Sequence, residues 1–299
     1  MKRRTLIKAI PLSLLAAAGG TAVWRVRDTS TISTLAVNPN SDNSYDQHIN
    51  LNDLLGEDLY VKDSLKKPEE KHKQITQADV VFEGEKFTHL KSMVAHLKRV
   101  QDRVGYTNFN LIGFDEMIKL GRNFSSVGRF TQAELDLFEY VFSADATTYG
   151  FLGDKVIDNI TSVISRRDTK KIAHTGHYLF KGQSLEKYNR VRKDVGDSLV
   201  LTSGIRGVVK QTYLFLSKAI ETHGNLSEAS FSLAPPGHSY HGIGDFDVGK
   251  VGYGYKNFTA DFSHTDEYKR LTDLGYVAIR YVSNNPFGVR FEPWHIKVV

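Results

Sequence analysis

Cysteine is absent from the 299 residues. Disulfides, thiolate nucleophiles and thiolate metal ligands are thereby excluded, and a metal ion could be held only by His, Asp and Glu side chains. Proline is scarce, at seven residues, and no low-complexity tract occurs, which removes the collagen-like and disordered classes. No apolar run reaches the roughly 20 residues that a membrane-spanning helix needs. The longest, from about Ala9 to Val23, is interrupted by Pro11, Ser13, Gly19, Gly20 and Thr21, so a multi-span membrane protein is excluded. Excess charge is missing from the body of the chain as well. The formal +5 sits wholly in residues 1–28, where Lys2, Arg3, Arg4, Lys8, Arg25 and Arg27 face Asp28 alone, and the remainder sums to zero. A basic, nucleic-acid-binding surface therefore loses its main support. What is present, 40% hydrophobic and 24% charged residues, is the mixture of an ordinary soluble globular protein with material for one large domain or two modest ones.

Basic residues ahead of an apolar stretch form the arrangement of a signal peptide. Arg3-Arg4 followed by Thr5, Leu6, Ile7 and Lys8 resembles the twin-arginine export signal, with Lys2 where Ser or Thr is usual. Ala16-Ala17-Ala18 and Thr21-Ala22 offer small-residue cleavage sites, and a retained segment would serve as a short membrane anchor. Either way the body is expected to be exported to the periplasm or cell envelope, with membrane contact confined to this segment.

Four parts are expected: a signal peptide or anchor over 1–28, a polar linker over 29–76, a helical subdomain over 77–165, and a chemistry-bearing domain over 166–299. The linker contains NPNSDNSYD and KDSLKKPEEKHK and shows no sustained period. Phe87, Leu90, Met93, Val94, Leu97, Val100 and Val104 then recur at spacings of three and four, which predicts a helix over about 85–104 with one buried face. Phe114, Met117, Ile118 and Leu120 predict a second helix, and Thr131 with Glu134 a capping-box start for a third running to about Phe142. Beyond about Arg166, short β-rich runs (HYLF, SLVLTS, YVAIRYV, GVRFEPWHIKVV) alternate with polar turns and helical stretches near 208–222 and 265–274. This is an α+β pattern, and without repeated βαβ units a doubly wound nucleotide fold is not expected. Gly249, Gly252 and Gly254 lack the strand and helix that a phosphate loop requires, and read as a turn.

Two segments gather metal-ligand chemistry. PPGHSYHGIGDFDVG, residues 235–249, holds His238, His241, Asp245 and Asp247, and RFEPWHIKVV holds Glu292 and His295 around Trp294. A hydrolytic zinc site needs about three N/O ligands, an open position for water and a nearby carboxylate that is not a ligand. The two segments supply that inventory, although His and Asp also gather in hydrogen-bonded turns. His174 and His177, three apart in HTGH, have no carboxylate nearby and read as structural.

The order of these parts resembles the zinc D,D-carboxypeptidases related to VanY. Ser239, His241, Gly244 and Asp247 answer to that family's Ser-x-His segment with its following Gly and Asp, and Glu292, Trp294 and His295 to its Glu-x-Trp-His. Ser203, Gly204, Arg206 and Gln211 match a Ser-Gly-Tyr-Arg motif and its downstream Gln, with Ile205 in place of Tyr, and Arg280-Tyr281 match an Arg-Tyr pair. The resemblance covers about 166–299. One departure stands out: the Asp lies six positions after His241 rather than the usual seven. Asp247 is the expected ligand, with Asp245 on the same strand face as a neighbouring partner or substitute.

The resemblance implies a small antiparallel sheet with flanking helices, the hedgehog and D,D-peptidase-like zinc fold. It also implies Zn²⁺ held by His241, Asp247 and His295, and Glu292 as general base. Arg206 would face the oxyanion or the substrate's terminal carboxylate, and Ser203, Gln211 and Ser239 would shape the peptide site. His238 reads as a loop or supporting residue and Trp294 as packing. The implied substrate is a peptidoglycan stem peptide ending in D-Ala-D-Ala, with no nucleic-acid partner. An endopeptidase, an L,D-carboxypeptidase or a silent cell-wall-binding module are the alternatives that the same motifs leave open.

Overall fold

The computed structural model describes residues 79–276 and 280–299. The expected signal and linker lie outside the described residues. The fold is α+β: an N-terminal helical region followed by two small antiparallel sheets with helices packed around them.

Helix α1 (Gly84–Val104) buries Leu90, Met93, Leu97 and Val100, the apolar stripe that its three- and four-residue spacing predicts. It ends at Gly105, whose φ of 81° L side chains rarely adopt. A single turn, α2 (Tyr106–Phe109), leads to α3 (Phe114–Asn123). Helix α4 (Gln132–Ser143) opens on the expected capping box, with Glu134 N–H donating to Thr131 Oγ1 at 3.2 Å and Thr131 N–H to Glu134 Oε2 at 2.8 Å. The Glu134 carboxylate also accepts from Ser92 Oγ and lies 3.1 Å from His96 Nδ1, tying α4 back to α1 through groups buried in both.

Strands β1 (Thr169–Lys171) and β2 (Tyr178–Phe180) pair as a two-stranded sheet. Helix α5 (Gln183–Val195), β3 (Leu199–Ser203), α6 (Val208–Glu221) and α7 (Leu226–Ser232) follow. Then come β4 (Phe246–Lys250), α8 (Asp266–Asp273) and β5 (His295–Ile296). The second sheet runs β3-β4-β5, antiparallel throughout.

Period-two alternation divides that sheet. Leu199, Leu201, Phe246, Val248 and Ile296 share one hydrophobic cluster with Tyr188, Val191 and Val195 of α5 and Leu271 of α8. The residues between them, Asp247 and His295 among these, belong to the opposite face. A separate cluster joins α1, α3 and α4 to α6 and α7 through Leu97, Met117, Phe138, Phe215 and Ala229. Helix α6 packs into this helical core from its first turn, through Val208 and Val209, to Ala219.

Two expected strands are shorter than their β-rich runs. Of GVRFEPWHIKVV only His295–Ile296 is strand, because Pro293 has no N–H for a ladder and residues 292–295 close a turn, His295 N–H donating to Glu292 O at 3.1 Å. In YVAIRYV, residues 277–279 lie outside the described residues and Arg280 and Tyr281 are not in a strand. Gly249 is part of β4 rather than a turn, while Gly252 and Gly254 take positive φ in the following bend as expected.

Candidate metal centre and cleft

The register of the second sheet assembles the site. Asp247, in the central strand β4, has Ser203 opposite it on β3 and His295 opposite it on β5. His241 enters from the short 3-10 turn Tyr240–Gly242 before β4. This turn is tied to the end of β3 at two points: Arg206 N–H donates to His241 O at 3.3 Å, and His241 Nδ1–H to Gly204 O at 2.8 Å. Glycine is required at 204, since a Cβ there would lie 2.1 Å from Tyr178 O. That close approach seats Ile205 N–H on the same carbonyl at 2.8 Å and fixes the chain leading to Arg206.

His241, Asp247 and His295 are 2%, 1% and 3% exposed, and one donor atom from each lies within 4.8 Å of the others. Asp247 Oδ1 is 3.2 Å from His241 Nε2 and 3.3 Å from His295 Nδ1. His241 Nε2 and Asp247 Oδ1 nonetheless make no aligned hydrogen bond although both are buried, a costly arrangement unless a third body stands between them. Donors about 2.0–2.1 Å from a tetrahedral zinc ion lie roughly 3.3–3.4 Å apart, so the spacing fits one.

The outward nitrogens support the same reading. A carbonyl oxygen only accepts, so the Gly204 contact leaves the proton on His241 Nδ1 and turns the Nε2 lone pair inward. His295 Nε2–H donates to Asp245 Oδ2 at 3.0 Å, turning its Nδ1 toward Asp247. Asp245 is itself held by Arg280 Nε at 2.7 Å and Val298 N–H at 2.7 Å, with the Arg280 guanidinium 3.4 Å above the Tyr240 ring.

Electrostatics follow from this packing. Burial alone would raise the Asp247 carboxyl, but the facing imidazoles and the Arg206 guanidinium hold it well below the usual range. For Asp245, burial is likewise outweighed by His295, Arg280 and the Val298 amide, and its pKa is lowered. Burial, with Arg206 adding to it, pushes His241 down and keeps it neutral. With no ion bound, His295 is carried the other way, to about 9, because its hydrogen bonds to Asp245 and Asp247 overcome burial.

A cleft opens over these groups, and Arg206, Ser239, Tyr281 and Glu292 line it with the trio. Glu292 Oε2 is 3.8 Å from His295 Nδ1, and Arg290 Nε is 3.8 Å from Glu292 Oε1. Arg206 Nη2 donates to Asp247 Oδ2 at 2.8 Å, leaving Oδ1 facing the histidines, and its Nε donates to Ser203 Oγ at 2.9 Å. Of the three expected peptide-site residues, Ser239 reaches the cleft wall. Ser203 lies behind Arg206, and Gln211 Nε2 donates to Ala234 O at 2.6 Å, holding the opposite wall segment to α6.

His238 is apart from the trio, its Nδ1–H on Gly153 O at 3.1 Å. His174 is exposed and His177 buried, and neither joins a metal-binding group among the described residues. Trp294 packs in the sheet cluster, against Phe258, while also meeting the cleft. The position of Arg280 was legible as part of an Arg-Tyr pair, but its pairing with Asp245 was not. Lys218 and Glu221, which also line the cleft, carried no sequence signal beyond an ordinary helical ion-pair spacing.

Residues 182–299, less than half of the chain, match the VanY family, described as D-alanyl-D-alanine carboxypeptidase. This segment is VanY-related. Among curated proteins none matches the chain.

Proposed function

We propose that this VanY-related segment is a zinc-dependent peptidase of peptidoglycan stem peptides, removing the terminal D-alanine from a D-Ala-D-Ala end. The observation that carries the reading is the convergence on one cleft of three buried N/O donors, a carboxylate outside the donor set and a fixed guanidinium.

His241, Asp247 and His295 would hold the ion, which when bound lowers the pKa of a water from about 15.7 toward 7 and polarises a carbonyl. Glu292, beside the trio but not of it, takes the proton of the attacking water and delivers it to the departing amine, so that the amide becomes a carboxylate and a free amine. Arg206, anchored by Ser203 and Asp247, presents a fixed positive charge at the cleft wall. It stabilises the negative charge that develops on the scissile oxygen or pairs with the substrate's terminal carboxylate. Buried walls around Trp294 and Tyr281 keep bulk water from weakening these interactions.

The basic-then-apolar N-terminal segment supports delivery of the body to the cell envelope, where the substrate lies. No helix among the described residues is long and apolar enough to cross a membrane. Incubation of the zinc-loaded protein with muropeptides, followed by mass spectrometry, tests the reaction. Loss of one alanine from pentapeptide stems is expected. Cleavage of cross-links or of tetrapeptides instead would assign the endopeptidase or L,D-carboxypeptidase activity, and no chelator-sensitive cleavage would leave a binding module.

A further inference from the structure

The cleft is longer than its chemistry requires. Tyr213, Leu214, Ser217, Lys218 and Glu221 line it, and their alternating spacings of one and three describe a single face of α6. The helix begins at Val208, two residues after Arg206, whose N–H donates to His241 O at 3.3 Å, and the part of it that lines the cleft runs from Tyr213 to Glu221. Lys218 is ten residues beyond Val208, about 15 Å along the axis at about 1.5 Å per residue. An extended peptide covers that span in about four residues. If the reaction is the carboxypeptidase cleavage proposed above, only one residue lies beyond the scissile bond. The rest of the cleft must then take the amino side of the substrate.

Lys218 pairs with Glu221, Nζ to Oε2 at 3.2 Å, and the two side chains differ in burial. Lys218 is 13% exposed and Glu221 42% exposed. The lysine stem is fixed in the wall, whereas the glutamate can swing into water at little cost, because exposed ion pairs contribute little. Among the described lining residues, Arg206 and Lys218 are the non-histidine cations, and Arg206 is committed to Asp247 and Ser203.

We propose that Lys218 is a specificity-determining residue that takes a substrate carboxylate about three or four residues to the amino side of the scissile bond, displacing Glu221. The proposal rests on the peptidase reading for its direction, and its test is one of binding, so that the two can fail separately.

Dye-labelled hexapeptides ending in D-Ala-D-Ala, identical except for Glu or Gln two, three or four residues before the scissile bond, are titrated into the full chain. The protein is zinc-loaded Glu292→Gln, and binding is read by fluorescence anisotropy. At one of the more distant positions the Glu peptide is expected to bind at least fivefold more tightly than its Gln twin. Adding Lys218→Met should abolish that preference, and adding Glu221→Gln should increase it. Equal affinity of the twins at every position, or a preference that survives Lys218→Met, overturns the proposal. Binding with the expected preference but no cleavage by the wild-type protein would overturn only the peptidase reading, and no binding of any peptide would overturn both.

Discussion

Asp247 and His295 face each other across the β4–β5 ladder, with Asp247 Oδ1 3.3 Å from His295 Nδ1. Register therefore sets the separation of two donors, and the turn at Tyr240–Gly242 brings the third. Replacing Asp247 by Asn keeps the shape but removes the charge that balances Arg206 and the ion. Zinc content after gel filtration is expected to fall from one equivalent to below a tenth, and retention of a full equivalent would move the metal elsewhere.

Glu292 differs in kind from the trio, since it lies beside the donors without joining them. Glu292→Gln should bind zinc as the wild type does while turnover of a D-Ala-D-Ala peptide drops by about 10²–10⁴, the usual range for a lost general base. Undiminished kcat in that variant would remove Glu292 from the reaction.

Asp245 is a positioning residue. It fixes the outward nitrogen of His295 and is fixed in turn by Arg280 and the Val298 amide. Asp245→Asn should weaken zinc by about 10–100-fold, the cost typical of losing such a partner. A dye-competition titration measures this directly, and circular dichroism separates loss of the ion from loss of the fold.

The same arrangement makes zinc uptake depend on pH. With no ion bound, His295 holds its proton up to about 9. The raised value means that below this pH the ion must displace a proton from Nδ1. Apparent affinity should rise about tenfold per pH unit between 7 and 9, then level off. A flat profile would show that His295 is not a ligand. Asp245→Asn lowers the barrier to deprotonation and should move the levelling point to lower pH.

Much of this was legible in the residues, and the exceptions have physical causes. The α1 stripe and the Thr131–Glu134 capping box are local signals, and the structure carries both. Strand β4 was legible only in the alternation that set Asp245 and Asp247 on one strand face, because Asp247 and Gly249 are poor strand formers; its pairing with β3 and β5 is a tertiary effect. Helix α5 could have been found, since Leu185, Tyr188, Val191 and Val195 recur at helical spacing within a strongly polar segment. The one-residue shortening between His241 and Asp247 left Asp245 and Asp247 both open as ligands. Only the register separates them, placing Asp247 among the donors and Asp245 behind His295. The part of the cleft lined by α6 was illegible because Lys218 and Glu221 acquire meaning only from the walls around them.

The central claim is that one zinc ion sits among His241, Asp247 and His295. Anomalous diffraction at the zinc edge from crystals of the zinc-loaded protein tests it most directly. The account predicts a single strong peak about 2.0–2.2 Å from His241 Nε2, Asp247 Oδ1 and His295 Nδ1. A peak at other residues, or none in a preparation that still cleaves stem peptides, would contradict it.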